Sequence, residues 1–334
     1  FKDAGAEIAS DTKSTLENAD LIFKIQRLMT SNDAIDEISM CKKDAMVLSH
    51  MSALSTKKDS EEYAKASLTT FAMDLMPRIS RAQSMDVLSS QSNLSGYQAV
   101  IKGADNFNSA FPMMMTAAGT VAPAKVFVMG VGVAGLQAIA TAKRMGAIVT
   151  AYDVRAATKE QVESLGGKFL IVDEEAMKEA ETSGGYAKEM TEEYKKKEQE
   201  VIKKHISDQD IVITTALIPG RPAPKLVTAE MVKLMRTGSV IVDLAAEMGG
   251  NCELTKRNQI FDADGIKIVG FDNLPGELPK DASTLFAKNL LNFLSPHVNA
   301  ESKSLDLDWE DETVKNTLVT KDGNIVSEIV KGVS

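Results

Sequence analysis

The chain of 334 residues is too long for one ordinary hydrophobic core, and its 44% apolar and 25% charged residues are typical of a globular protein with two domains. The net charge of −9 argues against a nucleic-acid-binding protein, whose binding face needs clustered lysine and arginine. Two distant cysteines and three scattered histidines supply neither a disulfide framework nor a metal site, and no apolar run reaches the roughly 18 residues of a membrane-spanning helix.

Short apolar runs alternate with helical patterns in the first third of the chain. The runs lie near Ala6, Leu21, Met46 and Phe71, and the segments STLENA and KDSEEYAKA between them have helical character. This alternation predicts a parallel α/β sheet. The opening FKDAGAEIAS has no initiator methionine and looks like a helix end followed by a strand, so we expect further sequence before it.

A second α/β series follows a helix predicted over 93–111. Its strands are predicted at 125–130, 147–153, 168–172, 210–217, 239–245 and 266–273. Continuous Val- and Ile-rich strands of this kind are typical of a sheet that is buried on both faces. Six such strands with intervening helices predict a complete doubly wound dinucleotide-binding domain.

Three segments depart from this pattern. Residues 174–206 form a long charged connection, which is typical of a lid or binding loop. We interpret Met113, Met114 and Met115 as packing residues in the core or at a hinge between domains, and not as a metal site. After a helix over 283–294, the tail from Asp306 carries strand and turn signals, and we expect it to return to the first domain.

The strongest motif is a glycine-rich turn between the strand 125–130 and a predicted helix. It consists of Gly130, Val131, Gly132, Val133, Ala134 and Gly135. In such a turn the first glycine permits the tight bend, the second lets the backbone approach a pyrophosphate, and the third lets the helix pack on the strand. The helix N-terminus offers free N–H groups to the phosphates.

The residue that ends the next strand indicates which dinucleotide binds. Asp153 is placed to accept hydrogen bonds from the adenosine ribose hydroxyls, and its carboxylate repels a 2′-phosphate. Val154 and Arg155 follow it, and the Arg155 guanidinium is a group that could instead accept a 2′-phosphate. The sequence therefore favours NAD(H) over NADP(H).

Several long stretches now resemble a known family over nearly the whole chain. They are DLMPRISRAQSMDVLSSQSNLSGY (74–97), FPMMMTAAGTV (111–121), GVGVAGLQAIATAKRMGAIV (130–149), DVRAATKEQVESLGGKF (153–169), TSGGYAKEM (182–190), TTALIPGRPAP (214–224) and SVIVDLAAEMGGNCE (239–253). The chain resembles the NAD(H)-binding component of proton-translocating nicotinamide nucleotide transhydrogenase, in the family that includes alanine dehydrogenase.

The resemblance implies two Rossmann-like, doubly wound α/β domains with a cleft between them. The first domain would comprise residues 1–90 and 285–334 and be incomplete at its N-terminus, and the NAD(H)-binding domain would comprise 91–284 with a mobile loop at 180–192. It also implies a homodimer that passes hydride, with Re/Si specificity, from NADH to NADP⁺ on a partner component. A membrane-spanning component would couple this transfer to proton translocation, which places the chain in the cytoplasm or mitochondrial matrix, peripheral to the membrane.

The segment 78–89 matches the Arg–Gln–Asp loop of this family. The resemblance gives Arg78, Asp86 and Ser89 the role of orienting the dihydronicotinamide, and gives Gln83 the role of reaching toward the partner nucleotide. Direct hydride transfer needs two aligned rings without water and no general acid or base, so polar side chains that grip the carboxamide suit it. The alternatives are a structural ion pair for Arg78 and Asp86, and a helix cap for Ser89.

Further residues are assigned to the cofactor site by the same resemblance or by their place at the sheet edge. They are Tyr97 near the nicotinamide, Tyr186 and Met190 on the mobile loop with Gly184 and Gly185 as its flexible points, and Ala216, Leu217 and Pro219 at the cleft. A core position for Tyr97, and a surface insertion for the loop, stay open as alternatives. One departure is the stretch Asn273 to Glu277, where the family often has an arginine.

Two other functions remain in competition. Lys24 and His50 occupy places that correspond to the substrate residues of alanine dehydrogenase, although Lys24 is followed by IQR and not by that enzyme's usual pattern. A non-catalytic NAD(H)-binding subunit is the other alternative, and such a protein would not need the loop 78–89.

Overall fold

The structure is a computed structural model that describes residues 1–173, 176, 191–218 and 220–332. The chain divides into two compact units, one formed by Phe1–Leu88 with Ser283–Ser334 and the other by Ser89–Ala282. Each unit is an α/β structure built around its own sheet, and each is described separately below.

The strands, in chain order, are β1 (Leu21–Gln26), β2 (Met46–His50), β3 (Thr69–Ala72), β4 (Met114–Thr116), β5 (Gly119–Val121), β6 (Lys125–Met129), β7 (Ile148–Tyr152), β8 (Lys168–Phe169), β9 (Ile211–Thr214), β10 (Val240–Asp243), β11 (Ile260–Ala263), β12 (Ile266–Val269), β13 (Val298–Asn299), β14 (Ser304–Leu305), β15 (Leu318–Lys321) and β16 (Asn324–Ile325).

The α-helices are α1 (Thr12–Leu16), α2 (Lys57–Lys65), α3 (Val87–Asn106), α4 (Val133–Arg144), α5 (Thr158–Ser164), α6 (Glu192–Ile206), α7 (Ala229–Leu234), α8 (Pro279–Leu294), α9 (Glu312–Thr317) and α10 (Glu328–Lys331). Short 3-10 helices lie at Lys2–Ala4, Ile38–Met40, Met73–Leu75, Ser80–Met85, Ala246–Met248, Pro275–Glu277 and Ser295–His297.

The first unit has a five-stranded sheet in the order β1-β2-β3-β15-β16. The first three strands are parallel, and the C-terminal tail adds β15 antiparallel to β3. Asp322 and Gly323 join β15 to β16 with φ values of 50° and 76°, the left-handed pair that a tight hairpin turn requires. One apolar cluster contains Phe71 and Phe293, and a second contains Tyr63 and Val319.

The second unit has a seven-stranded sheet in the order β11-β12-β10-β9-β6-β7-β8. All six predicted strands are present and parallel, in the strand order of a doubly wound dinucleotide-binding fold, and β11 is an added antiparallel edge strand. Alternate residues of β6 pack into apolar clusters on opposite faces of the sheet, Val126 and Val128 on one and Phe127 and Met129 on the other. The prediction of a sheet that is buried on both faces is therefore confirmed.

Three local predictions are wrong. The apolar stretch near Ala6 is not a strand; it has no ladder partner among the described residues, and Ile8 is 61% exposed. Helix α3 begins at Val87 rather than near Asn93, because this polar stretch still carries buried residues such as Val87 and Val100. The three methionines 113–115 are 58%, 43% and 81% exposed around the β4–β5 hairpin, so they are not core packing residues.

Candidate functional site

The glycine-rich turn lies where β6 ends and α4 begins, at the carboxyl edge of the parallel sheet. Gly130 has a φ of 99°, a left-handed value that disfavours other residues, and its N–H donates to the Tyr152 carbonyl at 2.8 Å. Gly132 is the residue before α4, and a Cβ added there would meet nothing within 4 Å. The first-turn residue Val133 is 38% exposed, so the turn offers an open backbone surface at a helix N-terminus.

Two other glycines allow backbone segments to touch around this turn. A Cβ on Gly135 would lie 1.9 Å from the Gly130 carbonyl oxygen, so only glycine allows α4 to pack against the turn. A Cβ on Gly96 of α3 would lie 2.1 Å from the Ala134 carbonyl oxygen. Sequence reasoning missed Gly96, although a glycine inside a helix, where it costs about 1 kcal/mol relative to alanine, is a signal of close packing.

Asp153 is 7% exposed at the end of β7, and its carboxylate holds the glycine-rich turn. It accepts from the N–H of Val131 at 2.8 Å and from the N–H of Arg155 at 2.9 Å. The Arg155 guanidinium also donates to both oxygens at 2.8 Å, and its Nη2 reaches the Val131 carbonyl at 3.3 Å. Because four donors occupy the carboxylate, a ribose diol that binds there must take the place of the guanidinium.

The segment after β9 is held beside the same turn. The Thr215 hydroxyl donates to the Gly130 carbonyl at 3.0 Å. The fully buried Asn251 accepts from the Ala216 N–H at 3.0 Å and donates to the carbonyls of Ala216 and Pro224, both at 2.8 Å. Leu217 follows and is 47% exposed. Ala216 and Leu217 thus lie at the carboxyl edge as expected, fixed by Thr215 and Asn251, which no sequence motif identified.

A buried polar cluster lies beneath the end of β7, next to Asp153. The Tyr152 hydroxyl is 2.5 Å from Glu198 Oε1 and 3.1 Å from the Tyr194 hydroxyl, both of α6. Burial raises the pKa of the Glu198 carboxyl and raises the pKa of Tyr194 to about 12. Burial also raises the pKa of Tyr152, so both phenols stay protonated, and the contacts hold α6 against the strand that carries Asp153.

The residues of the loop 78–89 lie on consecutive turns. Arg78 and Gln83 are exposed, and Gln83 sits on the 3-10 helix Ser80–Met85 whose Ala82 and Met85 are buried. Asp86 directly precedes α3, and Ser89 lies in its first turn rather than at the residue before the helix. On the same helix, Tyr97 is 39% exposed and is therefore not a fully buried core tyrosine.

The residues that would serve alanine dehydrogenase activity are engaged in internal contacts. Lys24 Nζ lies 2.7 Å from Glu37 Oε2 and donates to the Arg27 carbonyl at 3.2 Å, while His50 ends β2 and is half-buried. The stretch that lacks the family arginine forms the 3-10 helix Pro275–Glu277 instead. There, the Glu277 carboxylate accepts from Gln98 at 2.6 Å and pairs with Lys102 at 2.8 Å.

Some predicted residues lie outside the described part of the chain, namely Tyr186, Met190 and Pro219, together with Gly184 and Gly185. Val154 is described and is half-buried beside Asp153. Across the described ranges, no group of three or more His, Cys, Asp and Glu side chains is placed to hold a metal ion. Over the same ranges, no helix is both long and apolar enough to cross a membrane.

Comparison with known proteins gives concordant matches along the chain. Residues 1–95 match the N-terminal domain of alanine dehydrogenase/PNT, and residues 99–328 match its C-terminal domain. The chain is 60% identical to the first of the two alpha-subunit polypeptides of NAD(P) transhydrogenase from Rhodospirillum rubrum, over 98% of this chain and 86% of that protein. The protein of the same description from Rickettsia prowazekii is 46% identical over 98% and 84%. A crystal structure of transhydrogenase from Sinorhizobium meliloti superposes with a TM-score of 0.85 at 49% identity, covering 98% of this chain and 86% of that one.

Proposed function

The chain belongs to the alanine dehydrogenase/PNT family, and from that premise we propose that it is the NAD(H)-binding component of a proton-translocating transhydrogenase. In this proposal, NADH bound to the Ser89–Ala282 unit passes its hydride directly to NADP⁺ on a partner component. The transfer is Re/Si-specific. A membrane-spanning component couples it to proton translocation. The relatives that are described as transhydrogenase alpha subunits support an NAD(P) oxidoreductase role for the chain.

Cofactor binding is assigned to the glycine-rich turn and the end of β7. The pyrophosphate accepts hydrogen bonds from the backbone at the N-terminus of α4, over the open side of Gly132. The adenosine ribose hydroxyls replace the Arg155 guanidinium on Asp153, while the Val131 N–H keeps its bond to the carboxylate. A 2′-phosphate would meet that carboxylate at close range, which is the physical reason for preferring NAD(H).

Hydride transfer is assigned to the loop 78–89. Arg78, Asp86 and Ser89 orient the dihydronicotinamide, and Gln83 reaches toward the partner nucleotide. One observation carries the proposal, namely that Gln83 is exposed on a 3-10 helix anchored by buried Ala82 and Met85. A protein that only stored or sensed NAD(H) would gain nothing from holding an exposed amide on a fixed backbone, whereas transfer between two rings depends on fixed positions.

The remaining contacts and partners are part of the same proposal. Tyr97, Ala216, Leu217 and Pro219 line the cofactor cleft, and Tyr186 and Met190 on the mobile loop cover the bound nucleotide. The chain works as a homodimer with an NADP(H)-binding component and a membrane-spanning component. It is peripheral to the membrane through these partners, on the cytoplasmic side or on the matrix side of a mitochondrion.

Alanine dehydrogenase activity is the second candidate, because Lys24 and His50 correspond to its substrate residues. Against it, the Lys24 ammonium is committed to Glu37 at 2.7 Å, and a substrate carboxylate would have to compete with that partner. The non-catalytic alternative makes the opposite demand, since it predicts NADH binding with no hydride transfer to any acceptor.

The experiment combines the chain, NADH and a transhydrogenase NADP⁺-binding component, and follows NADPH formation, with NAD⁺ and L-alanine in a parallel reaction. We expect transfer in the first reaction only. Gln83→Asn shortens the exposed amide by one methylene, so it should slow hydride transfer at least tenfold and change the NADH Kd by less than about twofold. The matched control is Gln161→Asn, at an exposed glutamine of α5. Equal losses of transfer and binding in Gln83→Asn would contradict its assigned role, and turnover with alanine would favour the second candidate.

A further inference from the structure

The backbone on both sides of Gln83 is tied to distant parts of the first unit. Residues 81 to 85 alternate in environment, because Ala82 and Met85 are buried in the apolar cluster while Arg81, Gln83 and Ser84 face outward. Burial of two anchors limits how far the 3-10 helix can move, but it does not fix the direction in which its exposed side chains point. The polar contacts of Arg81 and Ser84 supply that second constraint.

On the N-terminal side, Arg81 makes a two-bond ion pair with Asp311. Its two terminal nitrogens donate to the two carboxylate oxygens at 2.8 and 2.9 Å. Asp311 is also the N-cap of α9, where it accepts from the Thr313 N–H at 2.7 Å and the Thr313 hydroxyl at 2.6 Å. These donors hold the pKa of Asp311 well below its usual range, so the pair stays charged at neutral pH. A carboxylate fixed by a helix cap is a rigid anchor for Arg81.

On the C-terminal side, the Ser84 carbonyl accepts from two asparagines. Asn289 and Asn292, one turn apart on α8, each donate a side-chain N–H to it at 2.9 Å. Ser84 is next to the last residue of the 3-10 helix, where carbonyls lack a partner within the helix. Both lone pairs of this carbonyl are therefore used, and the end of the helix is fixed to α8.

We propose that these two contacts, Arg81–Asp311 and Ser84–Asn289/Asn292, form a brace that fixes the direction of Gln83 for hydride transfer. Asp311, Asn289 and Asn292 are positioning residues in this proposal, because they act on Gln83 only through the backbone of residues 81 and 84. The inference rests on the proposed function. Its physical basis is that a displacement of about 1 Å in a group that aligns two reactants can cost up to about 100-fold in rate.

The test uses substitutions that cut the brace and spare the fold. Asp311→Asn keeps a good helix cap but loses the charge and the two-bond geometry toward Arg81. Its matched control is Asp11→Asn at the N-cap of α1, where the carboxylate caps a helix without an arginine partner. Asn292→Ala removes one of the two amides on Ser84. Its control is Asn316→Ala, whose amide donates to the Glu312 carbonyl of its own helix.

Three quantities are measured for each protein: single-turnover hydride transfer to NADP⁺ on a transhydrogenase NADP(H)-binding component, the NADH Kd, and amide hydrogen exchange over residues 79–86. We expect Asp311→Asn to slow transfer about tenfold, to leave the NADH Kd within about twofold, and to speed exchange in 79–86. Asn292→Ala should show the same pattern with a smaller loss, because Asn289 keeps one bond to Ser84. Both controls should match the wild type in all three measurements.

Two results would overturn the brace. In one, Asp311→Asn transfers hydride as fast as Asp11→Asn; in the other, its transfer rate falls only in proportion to its NADH affinity. A wild-type chain that binds NADH but transfers no hydride would overturn the proposed function, and with it the role of the brace in transfer. Wild-type transfer separates these failures, because it is measured before any variant is compared.

Discussion

Gly132 and Gly135 differ by three positions in one motif, yet alanine at each should have opposite consequences. At Gly132 the backbone has a φ of −86°, which any residue adopts, and the added methyl would meet nothing within 4 Å in the protein. At Gly135 the methyl would lie 1.9 Å from the Gly130 carbonyl oxygen, so the turn or the helix must move. Gly132→Ala therefore tests the bound dinucleotide, and Gly135→Ala tests the fold.

The expected magnitudes follow from these contacts. Gly132→Ala exchanges a slightly poorer helix cap for a less flexible unfolded chain, so the free energy of unfolding should change by less than about 1 kcal/mol. Its methyl occupies the surface where the pyrophosphate approaches the backbone. Losing two charge-assisted hydrogen bonds of about 1.5–3 kcal/mol each costs at least about 3 kcal/mol, or more than about 100-fold in the NADH Kd. Gly135→Ala should cost several kcal/mol of stability, in the upper range of single substitutions.

The assay is NADH fluorescence titration together with thermal unfolding of the same samples. The control is Gly332→Ala, where φ is −75° and the nearest atom to an added Cβ is at an ordinary 3.5 Å. We expect the control to resemble the wild type in both measurements. A Gly132→Ala protein that unfolds normally and binds NADH with wild-type affinity would refute the assignment of the pyrophosphate to this turn.

Three further predictions concern the groups around the turn. Asp153→Asn removes the charge that repels a 2′-phosphate, so the ratio of NADPH Kd to NADH Kd should fall at least about tenfold in parallel titrations, and an unchanged ratio would contradict its role. Asn251→Ala leaves the Ala216 and Pro224 groups without their amide partner, so the free energy of unfolding should fall by about 2–3 kcal/mol and NADH binding should weaken, as denaturant titration and fluorescence would measure. Burial raises the pKa of Glu198, so its contribution to stability is complete below the pKa of an unfolded glutamate and is lost as pH rises through the folded pKa. Glu198→Gln should therefore gain Tm relative to the wild type between about pH 4 and pH 8, and a constant Tm difference would refute this.

The sequence by itself determined the second unit's fold and the place of its phosphate-binding turn. Both depend on short-range patterns, because buried parallel strands are continuous apolar runs and the turn needs glycines at fixed spacing between a strand and a helix. The strands at Lys125–Met129 and Ile148–Tyr152 and the turn at Gly130 follow directly from such patterns. The start of α3 did not, because the polar face of that helix hides its periodicity.

The tertiary structure alone decided which groups hold the site residues in place. Arg155 lies on Asp153, Asn251 holds Ala216 from 35 positions away, and Arg81 meets Asp311 across 230 positions. The two amides on Ser84 come from 205 and 208 positions along the chain. No local pattern encodes these pairs, because a hydrogen bond depends on distance and angle in space, and the packing of whole strands and helices sets both.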